Sequence, residues 1–283
     1  MPLGYVLDIR GVIEYYTERP DVQRALLAQG CRRKTVVGTD PGIFGQARRH
    51  QLLTRPEQIA ELVKGALNGS PSPIPRKYPA FHASITRTSA DGRARRAAPT
   101  DPFAPFGSDR PFLEYNLDPT ARDCAGSDFV IDIDIKTDRQ EAFRQGRKVL
   151  SLLDDFGVAY RIKYSGNAGP HIIIPAELFP PELAGRHFRS MAPRLMSFIT
   201  SRSRATNVDG SFTSPGHFLR MAYSLNENTG LVSVPIPREQ YDEFDLGMAE
   251  AHTVVVQDDW LDASGESTEG LTALLRAAGI GNL

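Results

Sequence analysis

The stretch "FVIDIDIKTD", residues 129–138, alternates large apolar side chains with acids. A strand repeats its side-chain direction every two residues, so Asp132 and Asp134 point one way while Phe129, Ile131, Ile133 and Ile135 point the other, into a core. Two carboxylates this close repel one another and are costly to desolvate. An edge strand with its acids in water is one reading. A hard-cation site is the other, because Mg²⁺ or Mn²⁺ bound between carboxylates removes their repulsion. A third acid from elsewhere in the chain would favour the metal.

The rest of the chain sets the frame. Its 283 residues are enough for one large domain or two smaller ones with a substantial core, and 41% hydrophobic with 24% charged residues is an ordinary globular balance. The formal net charge of −1 gives no global basic signature for nucleic acid, but the distribution is uneven. Between Gly185 and Val208 lie Arg186, Arg189, Arg194, Arg202 and Arg204 with no acid, whereas Glu239 to Glu269 holds ten Asp/Glu and no Lys or Arg. A locally basic face can meet phosphates on a neutral molecule, although a solvated helix face accounts for the arginines equally well. Cys31 and Cys124 form no C-x-x-C pair, which argues against a cysteine-rich zinc site and fits a reduced compartment. No signal peptide and no membrane span is expected, and a cytoplasmic location follows.

Residues 12–30 predict two short helices broken at Pro20. "TVVGTD" and "GIFGQARRHQLL" read as strands about a Pro-Gly turn, and "TRPEQIAELVKGALNG" as a helix capped by Thr54. "AFHASITRT" resembles a strand, and residues 90–111 an irregular loop. A helix over about 138–156 follows the acidic strand, then "AYRIKYSG" and "GPHIIIP" as two strands around a Gly-rich turn. A helix near 182–203 should kink or split at Pro193. "HFLRMAYSL" and "LVSVPI" read as strands, and "PREQYDEFDLGMA" as a short helix. Strands and helices alternate in both halves, as in an α/β or α+β protein.

Two further segments carry chemistry. In "YSGNAGPHIIIP", residues 164–175, Gly166 and Gly169 bracket a turn whose N–H groups can face an anion, with Ser165 at its mouth and His171 on the outgoing strand. A nucleophilic Ser–His pair is the rival reading, weakened by the missing G-x-S-x-G elbow. In "NVDGSFTSPGHFLRMAYSLNENTGLVSVPI", residues 207–236, Asp209 is a third acid, and Arg220 can meet a phosphate or a carboxylate. Metal carboxylates, a phosphate cradle and a charge clamp are the parts that metal-assisted nucleotidyl transfer requires.

Taken in order, these segments resemble the archaeo-eukaryotic primase superfamily, specifically its small catalytic primase subunit. The family's first motif is a strand with two acids spaced as in "FVIDIDI". Its second, Ser-Gly-x-x-Gly-x-His, is matched by Ser165, Gly166, Gly169 and His171. Its third, an Asp followed by a basic residue and a "SLH-x-x-TG" run, is matched by Asp209, Arg220 and "SLNENTGLVSVP", with Asn226 where the family has histidine. "EYY" at 14–16, "ARRHQLLTRPEQIAELV" and "YDEFDLGMA" extend the likeness to about residues 12–251. The zinc element of many members is absent, so no structural zinc is expected.

The resemblance implies an α/β (α+β) primase catalytic core over residues 1–250, followed by an acidic C-terminal extension, 251–283. Within the core, an N-terminal α/β module (about 12–111) would pack on an RRM-like palm with a mixed sheet (about 125–250). It implies a template-dependent nucleotidyltransferase, a DNA primase or primase-polymerase, that makes or extends RNA or DNA strands with two Mg²⁺ or Mn²⁺ ions. Asp132 and Asp134 would bridge the ions, and Asp209 would complete one site. Ser165, the Gly166–Gly169 turn, His171 and Arg220 would hold the triphosphate, with Asn226 offering an uncharged hydrogen bond. Arg49 would reach the incoming nucleotide or template, and Arg186, Arg189, Arg202 and Arg204 are candidates for backbone phosphates. The implied partners are NTPs or dNTPs, a single-stranded DNA template or primer-template, and the large accessory subunit that accompanies many members, at the nucleoid and not at a membrane. A metal-dependent phosphodiesterase or nuclease, and a non-catalytic nucleic-acid-binding subunit, are the alternatives.

Overall fold

A computed structural model describes residues 6–38, 52–68, 72–88, 124–257 and 260–280. Arg49, all of the "GIFGQARRHQLL" strand but Leu52 and Leu53, and the 90–111 loop lie outside the described residues. The elements in chain order are α1 (Ile9–Thr17), α2 (Pro20–Gly30), β1 (Thr35–Gly38), α3 (Pro56–Leu67), β2 (Ala80–Ser84), β3 (Thr86–Thr88), β4 (Cys124–Ser127) and β5 (Phe129–Ile133). Then come α4 (Arg139–Phe156), β6 (Arg161–Tyr164), β7 (Pro170–Ile174), α5 (Pro181–Ala184), α6 (Phe188–Ser203), β8 (Val208–Asp209), β9 (Phe218–Arg220) and α7 (Glu269–Ala277).

Local chemistry sets the ends of these elements. Asp138 accepts the N–H of Glu141 at 2.9 Å to start α4, and Gly157, at φ +68°, ends it in the left-handed conformation. Thr54 does not cap α3. The Gln58 side chain folds back instead, accepting from the N–H groups of Thr54 (2.7 Å) and Arg55 (3.0 Å), so Arg55 becomes the N-cap. The predicted 182–203 helix breaks at Gly185, not at Pro193; α6 starts only at Phe188, and Pro193 sits on its exposed side.

Among the described residues every strand pairing is antiparallel, where a mixed sheet was expected. A four-stranded sheet runs β6-β7-β5-β8, a three-stranded one β1-β2-β9, and β3 pairs with β4. β9, far along the chain, thus completes the N-terminal sheet and ties the two halves together. The expected strands "HFLRMAYSL" and "LVSVPI" are regular only over Phe218–Arg220. Tyr223 turns to φ +65°, and residues 231–236 run extended, making only isolated bridges such as Lys163↔Pro235. "PREQYDEFDLGMA" forms two 3₁₀ turns, Arg238–Glu243 and Leu246–Ala249, instead of one helix.

The two faces of the four-stranded sheet differ. Ile131, Ile172 and Ile162 stand in cross-strand register and are buried, and Gly146 of α4 lies against Pro170 on that same face. Each such isoleucine stabilises the fold by roughly 1.5–3 kcal/mol through burial. The other face turns toward the β1-β2-β9 sheet, and Lys163 and Ile173 line a small cleft with Ala83, Ser84, Leu219 and Arg220. α7 adds Leu271, Leu274 and Leu275 to the core beside α4, so the acidic C-terminal segment contributes to packing.

Candidate active site

Strand register builds the site. Asp132 of β5 pairs with His171 of β7 on one side and Asp209 of β8 on the other, and His171 pairs in turn with Lys163 of β6. Cross-strand partners share a face, so Lys163, His171, Asp132 and Asp209 form one row across the sheet on the side opposite the isoleucines. Two acids separated by 76 intervening positions in the sequence thereby become neighbours.

Each member is held. Asp132 Oδ1 is 3.3 Å from Nε2 of His171. Burial, with help from the Lys163 charge, pulls the His171 imidazole down to about 4, so at neutral pH it is uncharged and donates its Nε2–H to Asp132. Burial alone would raise the Asp132 carboxyl; the His171 contact, with Lys163 and Arg220 behind it, outweighs this and keeps Asp132 below the usual carboxylate range. Asp209 accepts from the backbone N–H of Ser211 (2.8 Å) and from its hydroxyl (2.7 Å), fixing both carboxylate oxygens. Asp134 lies just beyond the end of β5, its N–H donating to Asn207 O at 3.2 Å. Its carboxyl is raised by desolvation and by the negative charges of Asp132 and Asp209, with exposed Lys136 opposing. The three acids therefore share a field that a cation would relieve.

Among the described residues no three carboxylate, imidazole or thiolate groups converge closely enough as they stand to ligate one ion. The donor set nevertheless fits a hard divalent cation. It is all-oxygen, strand register anchors Asp132 and Asp209, and desolvation together with the neighbouring carboxylates already disfavours the charged form of Asp134.

Beside the acids lies the Ser165–Gly169 turn. Ser165 Oγ receives the N–H groups of Asn167 (3.3 Å), Ala168 (3.2 Å) and Gly169 (3.3 Å), so three backbone donors converge on one oxygen. That is the geometry of an anion nest, here closed by the turn's own hydroxyl. Both glycines are also packing requirements. Gly166 has φ +85°, with a would-be Cβ 2.8 Å from that of Asn226; at Gly169 a Cβ would fall 2.2 Å from Ile133 O and 3.0 Å from Ala142 Cβ. Gly169→Ala is therefore expected to cost about 1–3 kcal/mol through overpacking where β5 meets α4, read as a lowered thermal midpoint. An unchanged melt would show that the contact relaxes freely.

Arg220 reaches the same turn, but its guanidinium is engaged: Nη1 donates to Ser165 O at 2.7 Å and Nη2 meets the Glu227 carboxylate. Asn226 is buried, its Oδ1 accepting the N–H groups of Asn228 (2.9 Å) and Thr229 (3.2 Å), which caps the "NENTG" turn. Arg186, Arg189, Arg202 and Arg204 are exposed on or beside α6, which packs beside α4 on the isoleucine side of the sheet. The structure does not bring them together with the acids.

Sequence reasoning passed over four residues. Lys163 is fully buried, its Nζ donating to Ser233 Oγ at 2.9 Å, and burial with Arg220 pushes its pKa well below the usual lysine value. His82 of β2 pairs in register with Arg220 and is held neutral by burial and that cation. His217 packs edge-on to Phe212, ring centroids 4.8 Å apart, within the field of Asp209 and Asp132. Glu227 is the buried partner of Arg220. Only Lys163 left a signal, standing two residues before Ser165 and so on the site's side of its strand.

No family profile matches the chain. An uncharacterized protein of Methanocaldococcus jannaschii, MJECS07, is 27% identical over an alignment of 145 positions that covers 46% of this chain and 33% of that protein. The chain thus spans about a third of that relative's length. Among solved structures, the polymerase domain of Mycobacterium tuberculosis ligase D, in complex with DNA, superposes with a TM-score of 0.52 at 16% identity, over 97% of this chain and 90% of that one. The chain therefore shares the α+β fold of that polymerase domain. No helix among the described residues is long and apolar enough to cross a membrane.

Proposed function

We propose that the chain is a template-dependent nucleotidyltransferase of the primase-polymerase kind, adding ribo- or deoxynucleotides to a strand paired with single-stranded DNA. The observation that carries this is the cross-strand row His171–Asp132–Asp209, set beside a three-donor anion nest on a fold shared with a polymerase domain.

Asp132, Asp134 and Asp209 would hold two divalent ions, Mg²⁺ or Mn²⁺. Bound there, the metals would acidify a primer 3′-hydroxyl and neutralise charge on the phosphoryl group in transit. The protein's own share is orientation. Neutral His171 fixes Asp132 through Nε2–H, Ser211 fixes Asp209, and the Ser165 hydroxyl, its oxygen held by the 167–169 N–H groups, offers its own O–H to the nucleotide's phosphates.

The test is a labelled primer-template incubated with NTPs or dNTPs and Mn²⁺ or Mg²⁺. Lengthening of the strand, dependent on template sequence, is the expected result. Shortening would assign the site to phosphodiester hydrolysis. Binding of the template with neither outcome would make the chain a non-catalytic subunit.

A further inference from the structure

The turn after β9 places a carboxylate where a phosphate-binding guanidinium would otherwise be free. Glu227 is buried and Arg220 largely so, their side chains 5% and 11% exposed, and they form a direct ion pair. Arg220 Nη1 is committed to Ser165 O, and its Nε is buried without a partner. The two turns are clasped at a second point, where Thr229 Oγ1 donates to Gly166 O at 2.6 Å. The other Glu227 oxygen accepts from Asn228 Nδ2 at 3.3 Å, and its backbone carbonyl takes the N–H of Tyr78 at 3.0 Å. Glu227 is thus fixed from three directions, with its charge against a guanidinium that touches the anion nest.

We infer that Glu227 is a resident counter-anion that sets the affinity of this nest for polyphosphate: it braces Arg220 against the Ser165 turn while cancelling its charge. This rests on the function proposed above and adds a residue that tunes it. An incoming triphosphate meets a neutral Arg220–Glu227 pair instead of a bare cation. The consequence is moderate nucleotide affinity and ready release of pyrophosphate, which shares the triphosphate's chemistry.

Glu227→Gln isolates the charge, because the amide keeps the length and one acceptor oxygen for Arg220 Nη2. Titrating the full chain with inorganic triphosphate should show binding tightened by about 3- to 10-fold, the effect of exposing one charge at short range in a partly screened site. In the extension assay the KM for nucleotide and the inhibition constant for pyrophosphate should fall together, with no rise in kcat. A purely structural brace would not produce that split. Unchanged or weaker triphosphate binding by a folded Glu227→Gln variant would overturn the inference, whereas failure of the unmodified chain to bind triphosphate at all would overturn the proposed function instead. Should the variant melt without cooperativity, saturating triphosphate is expected to restore the transition by replacing the lost counter-anion. A variant that stays unfolded under saturating triphosphate also overturns the inference.

Discussion

Asp132→Asn is expected to lower nucleotide incorporation by about 10³-fold or more, since it removes the central charge of the site. Asp132 is the one acid with a cross-strand neighbour on each side, His171 and Asp209, so no other carboxylate occupies its place in the row. The amide oxygen still accepts from His171 Nε2, and the strand pairing on both sides is made by backbone. Stability should therefore move by no more than about 1 kcal/mol. The measurement pairs a thermal melt with single-nucleotide extension across a range of Mn²⁺ concentrations. Asp134→Asn should do less harm at saturating Mn²⁺, because Asp134 lies beyond the end of β5 and is partly exposed. A folded Asp132→Asn chain that extends primers at the normal rate would falsify the placement of the reacting centre.

What the sequence made legible was the part governed by short-range periodicity. The alternation around Asp132 gives β5 and its buried isoleucines, and Asp138 with Gly157 marks both ends of α4. The spacing from Ser165 to His171 gives a turn between paired strands. Partnership across distance was not legible. Nothing local says that β9 closes the N-terminal sheet, nor that Glu227 rather than an external phosphate meets Arg220. The ends near 185 and 54 were misplaced for a related reason. Pro193 costs one exposed helical hydrogen bond, which α6 accommodates, while Gly185 takes a backbone conformation (φ −93°, ψ −111°) that no helix continues. Thr54 lost the cap to a glutamine because a long side chain can serve two N–H groups at once.

A second large effect is expected away from the chemistry, at Asp128. This carboxylate is 6% exposed and accepts from Arg33 Nη2 (2.5 Å), Arg87 Nη2 (3.2 Å) and the N–H of Ala176 (3.0 Å). Arg33 follows α2 and also donates to the Ser84 and Ile85 carbonyls at 2.9 and 2.8 Å, whereas Asp128 opens β5, so the cluster joins the N-terminal segment to the sheet that carries the acids. Asp128→Ala leaves the buried Arg33 guanidinium without its carboxylate, while the half-buried Arg87 keeps its second partner, Glu177; the substitution should cost about 3 kcal/mol, or roughly 10 °C in midpoint. The pH dependence has a definite sign. Burial would raise the Asp128 carboxyl, but Arg33 and Arg87, with the Ala176 N–H, outweigh it and hold it below the ordinary value. A folded pKa below the unfolded value of about 3.9 means the contribution is complete above that pH and is lost as pH falls through the folded pKa. Asp128→Asn keeps the shape without the charge, so its midpoint should fall less steeply on acidification than that of the unmodified chain. Equal acid limbs for the two proteins would show that the guanidiniums find other acceptors, and that the join between the halves rests on apolar packing alone.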